Sequence, residues 1–364
     1  MIFFINSNMQ KNKSGIEHAE LKRAQLFDEF KTNYCFLLLN WSVFLHKDLK
    51  EAGLKDDQVI NLFDYFQGFS NVKEKILTID DLDFGSSKIR IEPDLKHNRF
   101  LVWKTDYATN LPAKEYLAER VNLFSDSADK RVFSRELFDQ TGNIYTVDFY
   151  DWRGFKTMSQ WYDQHHQVAV QSWFGRSGAP VVDAFFRNNA QGDATIYWRL
   201  RDHSGQIHIF SSVEKLQRFF LDSINDDFFD KERPNIFIFD RAELGDWALK
   251  KLRRPAYSVF YLHSSHTVDS QNAKHSLLNN NYEYAFWNLD SYDAIAASTD
   301  KQAEDVKERF LPNNSVLTIP VGSIPDIHFK KGLVETSKRR KIPLWFLHAF
   351  QLRSSWINYF LLLI

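Results

Sequence analysis

Two histidines, His263 and His266, follow an apolar run in the segment Tyr261-Leu262-His263-Ser264-Ser265-His266-Thr267. An imidazole can move a proton near neutral pH, hydrogen-bond a hydroxyl or hold a metal. In open α/β sheets ligands sit beyond the carboxyl ends of strands, so both rings are expected to face a crevice. Two plainer readings stand beside this one. One imidazole could simply tie the loop down through backbone hydrogen bonds, or the pair could ligate zinc. The zinc reading lacks a convincing third ligand, because no nearby cysteine or carboxylate supplies one.

A second candidate lies near the start of the chain, in IFFINSNMQKNKSGIEHAELKRAQLF (residues 2 to 27). Ile2 to Ile5 form a short apolar run, as in a strand covered on both faces. Ser14 can cap a following helix, and Glu17 completes a capping box. Ile16, Ala19, Ala24 and Phe27 supply an inward stripe. Such an edge sets backbone N–H groups and a helix N-terminus beside a crevice where anions bind. Gly15 would let a ligand approach the backbone. An ordinary capped helix with a turn glycine explains the same residues.

Further along, Asp293 to Gln302 reads as a strand running into a helix that Thr299 or Asp300 caps, with Gln302 in its first turn. In Ile319-Pro-Val-Gly-Ser323, Gly322 is expected to turn the chain. Arg153, Lys156, Trp161, Trp173, Arg176, Trp198, Arg199 and Arg201 could grip a polymeric acceptor, since aromatic faces suit sugar rings and Arg suits phosphates. Alternation on a half-exposed sheet, or an oligomer contact, accounts for them equally well. Paired carboxylates for glycoside hydrolysis cannot be singled out, and there is no serine nucleophile elbow or phosphate-binding P-loop.

The elements that must position these residues fall into three textures. Residues 1–79 read as α/β, with a second strand in YCFLLLNW (34–41) and a helical region from Asp48 to Phe66. Residues 80–212 read as an antiparallel meander. KILTID, SKIRIEPD, RFLVWKTD, NIYTVDFYD, ATIYWRLRD and QIHIFSS alternate with period two, and turn signals such as Gln140 to Asn143 separate them. Residues 213–335 return to α/β, with helical VEKLQRFFLDSI and strands NIFIFD, SVFYLHS, DAIAAST and SVLTIPV. The expected architecture is one Rossmann-like domain interrupted by an antiparallel β insertion. A separate β domain followed by an unrelated α/β domain is the competitor.

Bulk properties narrow the partners. The 364 residues could bury two or three cores. A formal charge of −1 gives no electrostatic case for nucleic acid or anionic membrane. The 33 phenylalanines argue for packed cores and against disorder. Cys35 is the sole cysteine, so no internal disulfide forms, and a cytoplasmic location is expected, peripheral at the inner face of the membrane at most. The apolar start is too short for a signal peptide and reads as core.

The order strand, NKSGIEHAELKRAQLF, then HKDLKEAGL and DDQVINLFDYFQ, resembles the N-terminal half of bacterial family-four glycosyltransferases. These have the GT-B fold and include poly(glycerol-phosphate) α-glucosyltransferases of wall teichoic acid and accessory-Sec transferases that put N-acetylglucosamine on serine-rich adhesins. The resemblance runs from Met1 to about residue 335. It implies a β insertion used for oligomerisation or acceptor engagement. It implies His263 as the catalytic contact to donor sugar or acceptor, with Ser14, Gly15, His266 and Gln302 as substrate-binding residues. Arg153, Lys156, Trp198 and Arg199 would be acceptor contacts. No metal or cofactor is implied beyond the UDP-sugar co-substrate.

The final segment, KIPLWFLHAFQLRSSWINYFLLLI (341–364), departs from this pattern. His348, Gln351, Arg353 and Asn358 make a spanning helix doubtful. Permissible codons for it, read two bases later, spell DSIVVSTRFSAEKQLDKLLFAAY. That string resembles the opening strand and helix of the family's second Rossmann domain, with its Arg and Lys five apart. The expectation is a frameshift after about Ser337 to Arg340, so that residues 336–364 are an aberrant tail. The second domain would then be missing, and with it the phosphate clamp and the E-x7-E carboxylate pair. Negligible transfer by the chain alone follows.

The resemblance thus implies a retaining transferase moving glucose or N-acetylglucosamine from UDP-glucose or UDP-N-acetylglucosamine. Poly(glycerol phosphate) teichoic acid is the first acceptor and a serine-rich protein the second. A non-catalytic module holding acceptor or a homologous subunit through the β insertion is the alternative from another class. A homo-oligomer through that insertion fits either, and no nucleic acid is involved. An unrelated α/β hydrolase or metal enzyme centred on His263 and His266 is a third reading.

Overall fold

The structure, a computed structural model, describes residues 1–85, 88–106, 114–125, 127–188, 194–241 and 252–321. The expected turn at Gly322 and the tail 336–364 lie outside them.

The chain opens with β1 (Ile2–Asn6), whose last four residues are buried, then α1 (Gly15–Glu29). β2 (Tyr34–Leu38) is buried at every position, as a strand covered on both faces must be. α2 (Leu45–Ala52) ends on Gly53 in the left-handed conformation. The region from Asp48 to Phe66 is not one helix. It holds a short strand, β3 (Val59–Asn61), and then α3 (Leu62–Gln67). Asn61 explains the break, because its side chain accepts from the Phe63 and Asp64 N–H groups and caps α3.

Ten strands follow: β4 (Ile89–Asp94), β5 (Arg99–Asp106), β6 (Lys114–Leu123), β7 (Val132–Phe138) and β8 (Ile144–Tyr150) come first. β9 (Lys156–Tyr162), β10 (Val168–Phe174), β11 (Pro180–Asn188), β12 (Ala194–Arg201) and β13 (Ile207–Phe210) complete them. Each pairs antiparallel with its chain neighbours in one ten-stranded sheet. KILTID forms no strand. Its Leu77 carbonyl takes a hydrogen bond from Val132 N, so the segment packs beside the sheet through isolated bonds.

α4 (Val213–Asp227) leads back to β14 (Asn235–Phe239) and β15 (Ala256–Leu262). Then come α5 (Asn280–Trp287), β16 (Ala294–Ala297), α6 (Asp300–Phe310) and β17 (Ser315–Thr318). The parallel sheet runs β17-β16-β15-β14-β1-β2-β3. β1 therefore sits between the strands that precede the meander and those that follow it. The order reverses between β1 and β14, and such a reversal is where open α/β sheets bind ligands.

One core joins the two sheets. Phe63 of α3, Trp173 and Met158 of the meander, and Leu216 and Phe220 of α4 belong to the same buried cluster as Phe3 and Phe237. A polar knot reinforces the joint. Arg153 hydrogen-bonds Asp151, Asp64 and the Phe69 carbonyl, and the Gln67 side chain donates to the Thr157 and Phe174 carbonyls. Gly154 follows at φ +85°, where an added Cβ would meet the Lys75 carbonyl oxygen at 2.1 Å. The chain cannot accept a side chain there.

His46 enters the same knot, its Nε2 2.5 Å from Asp64 and 3.8 Å from Asp151. Burial alone would lower its pKa, but the charges of Asp64 and Asp151 and a hydrogen bond to Asp56 raise it to about 9. The sign follows from linkage. A raised histidine stabilises fully below its unfolded value near 6.5, and that contribution is lost as pH rises through about 9. Urea unfolding is therefore expected to show falling stability across that window, and His46→Gln should flatten the fall. An equal slope in wild type and variant would contradict the assignment.

Candidate functional site

The point of strand reversal carries a buried hydrogen-bonded chain. Asn6 ends β1, and its side-chain amide donates to Glu17 at 3.1 Å and Glu20 at 2.9 Å, both on α1. Glu17 also accepts from the Ser14 N–H and hydroxyl, closing the capping box read from the sequence. Arg241, just past β14, donates to Asn6 Oδ1 and Glu17. Asp240 beside it accepts from Arg23 at 2.5 Å and lies 2.7 Å from His263 Nε2. Glu20 and Asp240 influence one another electrostatically, which links the two halves.

Charges alternate along this chain. Burial pushes Glu17 up, but hydrogen bonds from Ser14, Arg241 and Asn6 outweigh it and hold the carboxyl at about 2. Burial likewise opposes ionisation of Asp240, yet the Arg23 charge and the His263 hydrogen bond keep it below the ordinary carboxylate range. Glu20 goes the other way. Burial and the neighbouring Asp240 charge raise it well above that range. Two carboxyl groups side by side do not both ionise, so Glu20 is the neutral partner and Asp240 the anion.

His263 is held from several sides. Its side chain is 3% exposed, and the ring stacks on Tyr261 at 4.4 Å. Tyr261 in turn lies under the Arg23 guanidinium. The imidazole thus sits beneath the carboxyl edge rather than on an open face. Nε2 is committed to Asp240, while buried Nδ1 has no hydrogen-bond partner among the described residues.

His266 does not join it. It is buried between Phe286 and Phe310, and burial lowers its pKa to about 4, so the ring is neutral. The cause is the loop after β15, which folds back through a bridge between Thr267 and Leu278 and turns the ring into the α5–α6 contact. Gln302 braces that loop, donating to the Ser264 carbonyl at 2.7 Å and accepting from Ser298 N at 2.9 Å. Thr299 is the residue that caps α6. Ser14 and Gly15 are exposed at the head of α1, and Gly15 is not among the glycines with positive φ. An open backbone approach is what Gly15 offers there.

The four residues read as acceptor contacts separate. Arg153 is 3% exposed and spent on the joint between the sheets, so it does not present a cation to an acceptor. The expectation fails for a physical reason: its carboxylate and carbonyl partners, Asp64 and Phe69, lie in the first α/β portion and draw it inward. Lys156 pairs with Asp148 and lies over Phe174, and Arg199 grips Asp183 through two nitrogens. Trp198 stacks on Trp173 at 5.8 Å and lines a groove.

Sequence reasoning missed Asn6, Glu20, Arg23, Asp240 and Arg241. A signal existed in NIFIFD, whose aspartate closes an apolar strand as His263 does. Among the described residues, one trio, His46, Asp64 and Asp151, brings ligand-type atoms within 4.8 Å of one another. Arg153 already bridges its two carboxylates.

No protein-family model matches the chain. Searching solved structures, the pneumococcal O-GlcNAc transferase GtfA, crystallised with UDP and GlcNAc, superposes with TM-score 0.70 at 22% identity, covering 89% of this chain and 60% of that one. TarM of S. aureus, in a crystal structure of a variant with fondaparinux, alpha-GlcNAc-glycerol and UDP, gives TM-score 0.60 at 15% identity, covering 89% and 62%. The chain carries part of a GT-B glycosyltransferase fold. A curated relative agrees: the UDP-N-acetylglucosamine–peptide N-acetylglucosaminyltransferase GtfA subunit of Streptococcus pneumoniae serotype 4 is 24% identical over 354 residues, 93% of this chain. The alignment spans 63% of that relative's length. No helix among the described residues is long and apolar enough to cross a membrane.

Proposed function

We propose that this chain is the acceptor-side portion of a UDP-sugar-dependent glycosyltransferase that places N-acetylglucosamine on a serine-rich polypeptide. The carrying observation is the polar chain from Ser14 to His263 at the point of strand reversal, on a fold shared with GtfA. Buried Asp240 fixes Nε2 of His263. Nδ1, buried and unpartnered among the described residues, is the ring nitrogen left to serve a sugar or acceptor hydroxyl. The head of α1, where Gly15 is exposed, is assigned to the donor side of the cleft. Transfer is retaining in this reading. The nucleotide phosphates would be neutralised by cations outside the described residues.

Teichoic acid, the first acceptor expected from the sequence, ranks second here. Its support is the likeness to TarM, whereas two curated GtfA subunits match 93% and 91% of the chain. The β insertion is proposed as the contact to a second copy or a homologous subunit, as solved assemblies of GtfA with GtfB share the fold.

Calorimetric titration with a serine-rich polypeptide, poly(glycerol phosphate) and UDP-sugars tests the reading. The polypeptide is expected to bind about tenfold more tightly than the polymer, a difference of about 1.4 kcal/mol. The reverse order would promote the teichoic acid reading, and binding of neither acceptor would end both.

A further inference from the structure

β13 pairs with only half of β12: Trp198 to Arg201 face Phe210 to Ile207. The other half, Ala194 to Tyr197, is paired to β11 on one side and has no strand on the other among the described residues. An open strand edge displays a row of backbone N–H and C=O groups. This edge borders a groove of about 650 Å³, with Leu39, Asn40 and Trp41 at the exit of β2 and Ser211 to Glu214 at the start of α4 completing its lining.

The lining has an unusual register. Ala194, Thr195, Ile196, Tyr197 and Trp198 all contribute to it. Side chains alternate between the faces of a sheet, so consecutive residues share one groove when it runs along the backbone edge. Its base is aromatic: Trp173 lies 4.6 Å from Phe63 and 6.1 Å from Trp41, and Trp198 stacks on Trp173. None of the lining residues is Lys, Arg or His, and Glu214 is the single charge.

These features discriminate among ligands. A phosphate polymer would find no cation to pair with. A sugar ring could stack on tryptophan but would leave the strand edge unmatched. An extended uncharged polypeptide satisfies both, by adding main-chain hydrogen bonds to the edge and laying alternate side chains on the aromatic base. We infer that the Ala194–Tyr197 edge of β12 is a strand-addition site for an extended, uncharged, serine- and threonine-rich polypeptide. The identity of that peptide as acceptor rests on the proposed function; the mode of binding rests on β12 alone.

The test uses the whole chain and two synthetic peptides, one serine- and threonine-rich and uncharged, the other its twin with alternate backbone nitrogens methylated. Tryptophan fluorescence reads affinity, and hydrogen exchange reads location. The first peptide is expected to bind saturably and to slow exchange at Ala194 to Tyr197. The methylated twin should bind about tenfold more weakly or worse, since two or more main-chain hydrogen bonds are lost. Trp198→Ala should weaken the first peptide, and Trp287→Ala, removing a tryptophan that is 76% exposed on α5, should leave it unchanged.

Equal affinity for the twins overturns strand addition. So does protection confined to residues outside β12, or a free N-acetylglucosamine disaccharide that occupies the groove while the peptide does not. Protection of β12 without peptide, rising with protein concentration, assigns the edge to a second copy and also overturns it. A glycosylated peptide that protects only the His263 edge would leave the proposed function standing while this inference fails.

Discussion

Arg153→Ala is expected to destabilise the chain by about 3–5 kcal/mol, because it strips the partner from two buried carboxylates at once. Asp64 and Asp151 would keep only His46 as a counter-charge, and the Phe69 carbonyl would lose its donor. Arg153→Lys should recover little, since a single ammonium cannot reproduce the forked contacts to Asp151, Asp64 and the Phe69 carbonyl. Chemical denaturation followed by circular dichroism checks this. A loss below about 1 kcal/mol would show that the knot does not hold the two sheets together.

Asp240→Ala has the second large effect. Arg23 and His263 are both buried against Asp240, and removing the anion leaves the guanidinium with only Glu20, which burial keeps hard to ionise, as a neighbouring acid. A loss of about 3–5 kcal/mol is expected. The isosteric Asp240→Asn separates charge from shape. A carboxylate with a depressed native pKa stabilises above its unfolded value, and that contribution drains as pH falls through the native one. Asp240→Asn should therefore show a shallower acid limb than wild type. It should also lower the raised pKa of Glu20, whose charged form Asp240 opposes. An unchanged acid limb, with Glu20 titrating as before, would remove Asp240 from the network.

How much of this was legible in the sequence follows from the range of each interaction. The parallel strands announced themselves as apolar runs, because covering both faces leaves no alternation to misread. The capping box of α1 was legible because Ser14 and Glu17 are neighbours. β3 was not, since three residues between a turn and a capped helix carry too little pattern. The inward face of α1 was legible only in part, since Ala19 and Ala24 are buried and Phe27 packs on the core as expected. It buries Glu17 and Glu20 along with Ala19 and Ala24, and no helical period predicts that two acids point inward.

Distance in sequence hid the rest. Arg153 reaches Asp64 across 89 positions, Arg23 reaches Asp240 across 217, and Arg241 reaches Asn6 across 235. Strand order sets these meetings, and a single sequence does not display strand order. The same gap explains His263 and His266. Their spacing suggested a shared crevice, but the chain after β15 doubles back and sends His266 into the α5–α6 contact.

The carboxyl edge around Ser14, Gly15 and His263 is proposed to receive the serine-rich acceptor and its product, the same peptide bearing N-acetylglucosamine. Hydrogen-exchange mass spectrometry of the chain, with and without a serine peptide bearing N-acetylglucosamine, tests this most directly. Slowed exchange is expected at the head of α1 and in the 262–267 loop, weakened in His263→Ala. Saturable binding with both segments unprotected, or protection that His263→Ala leaves intact, would contradict it.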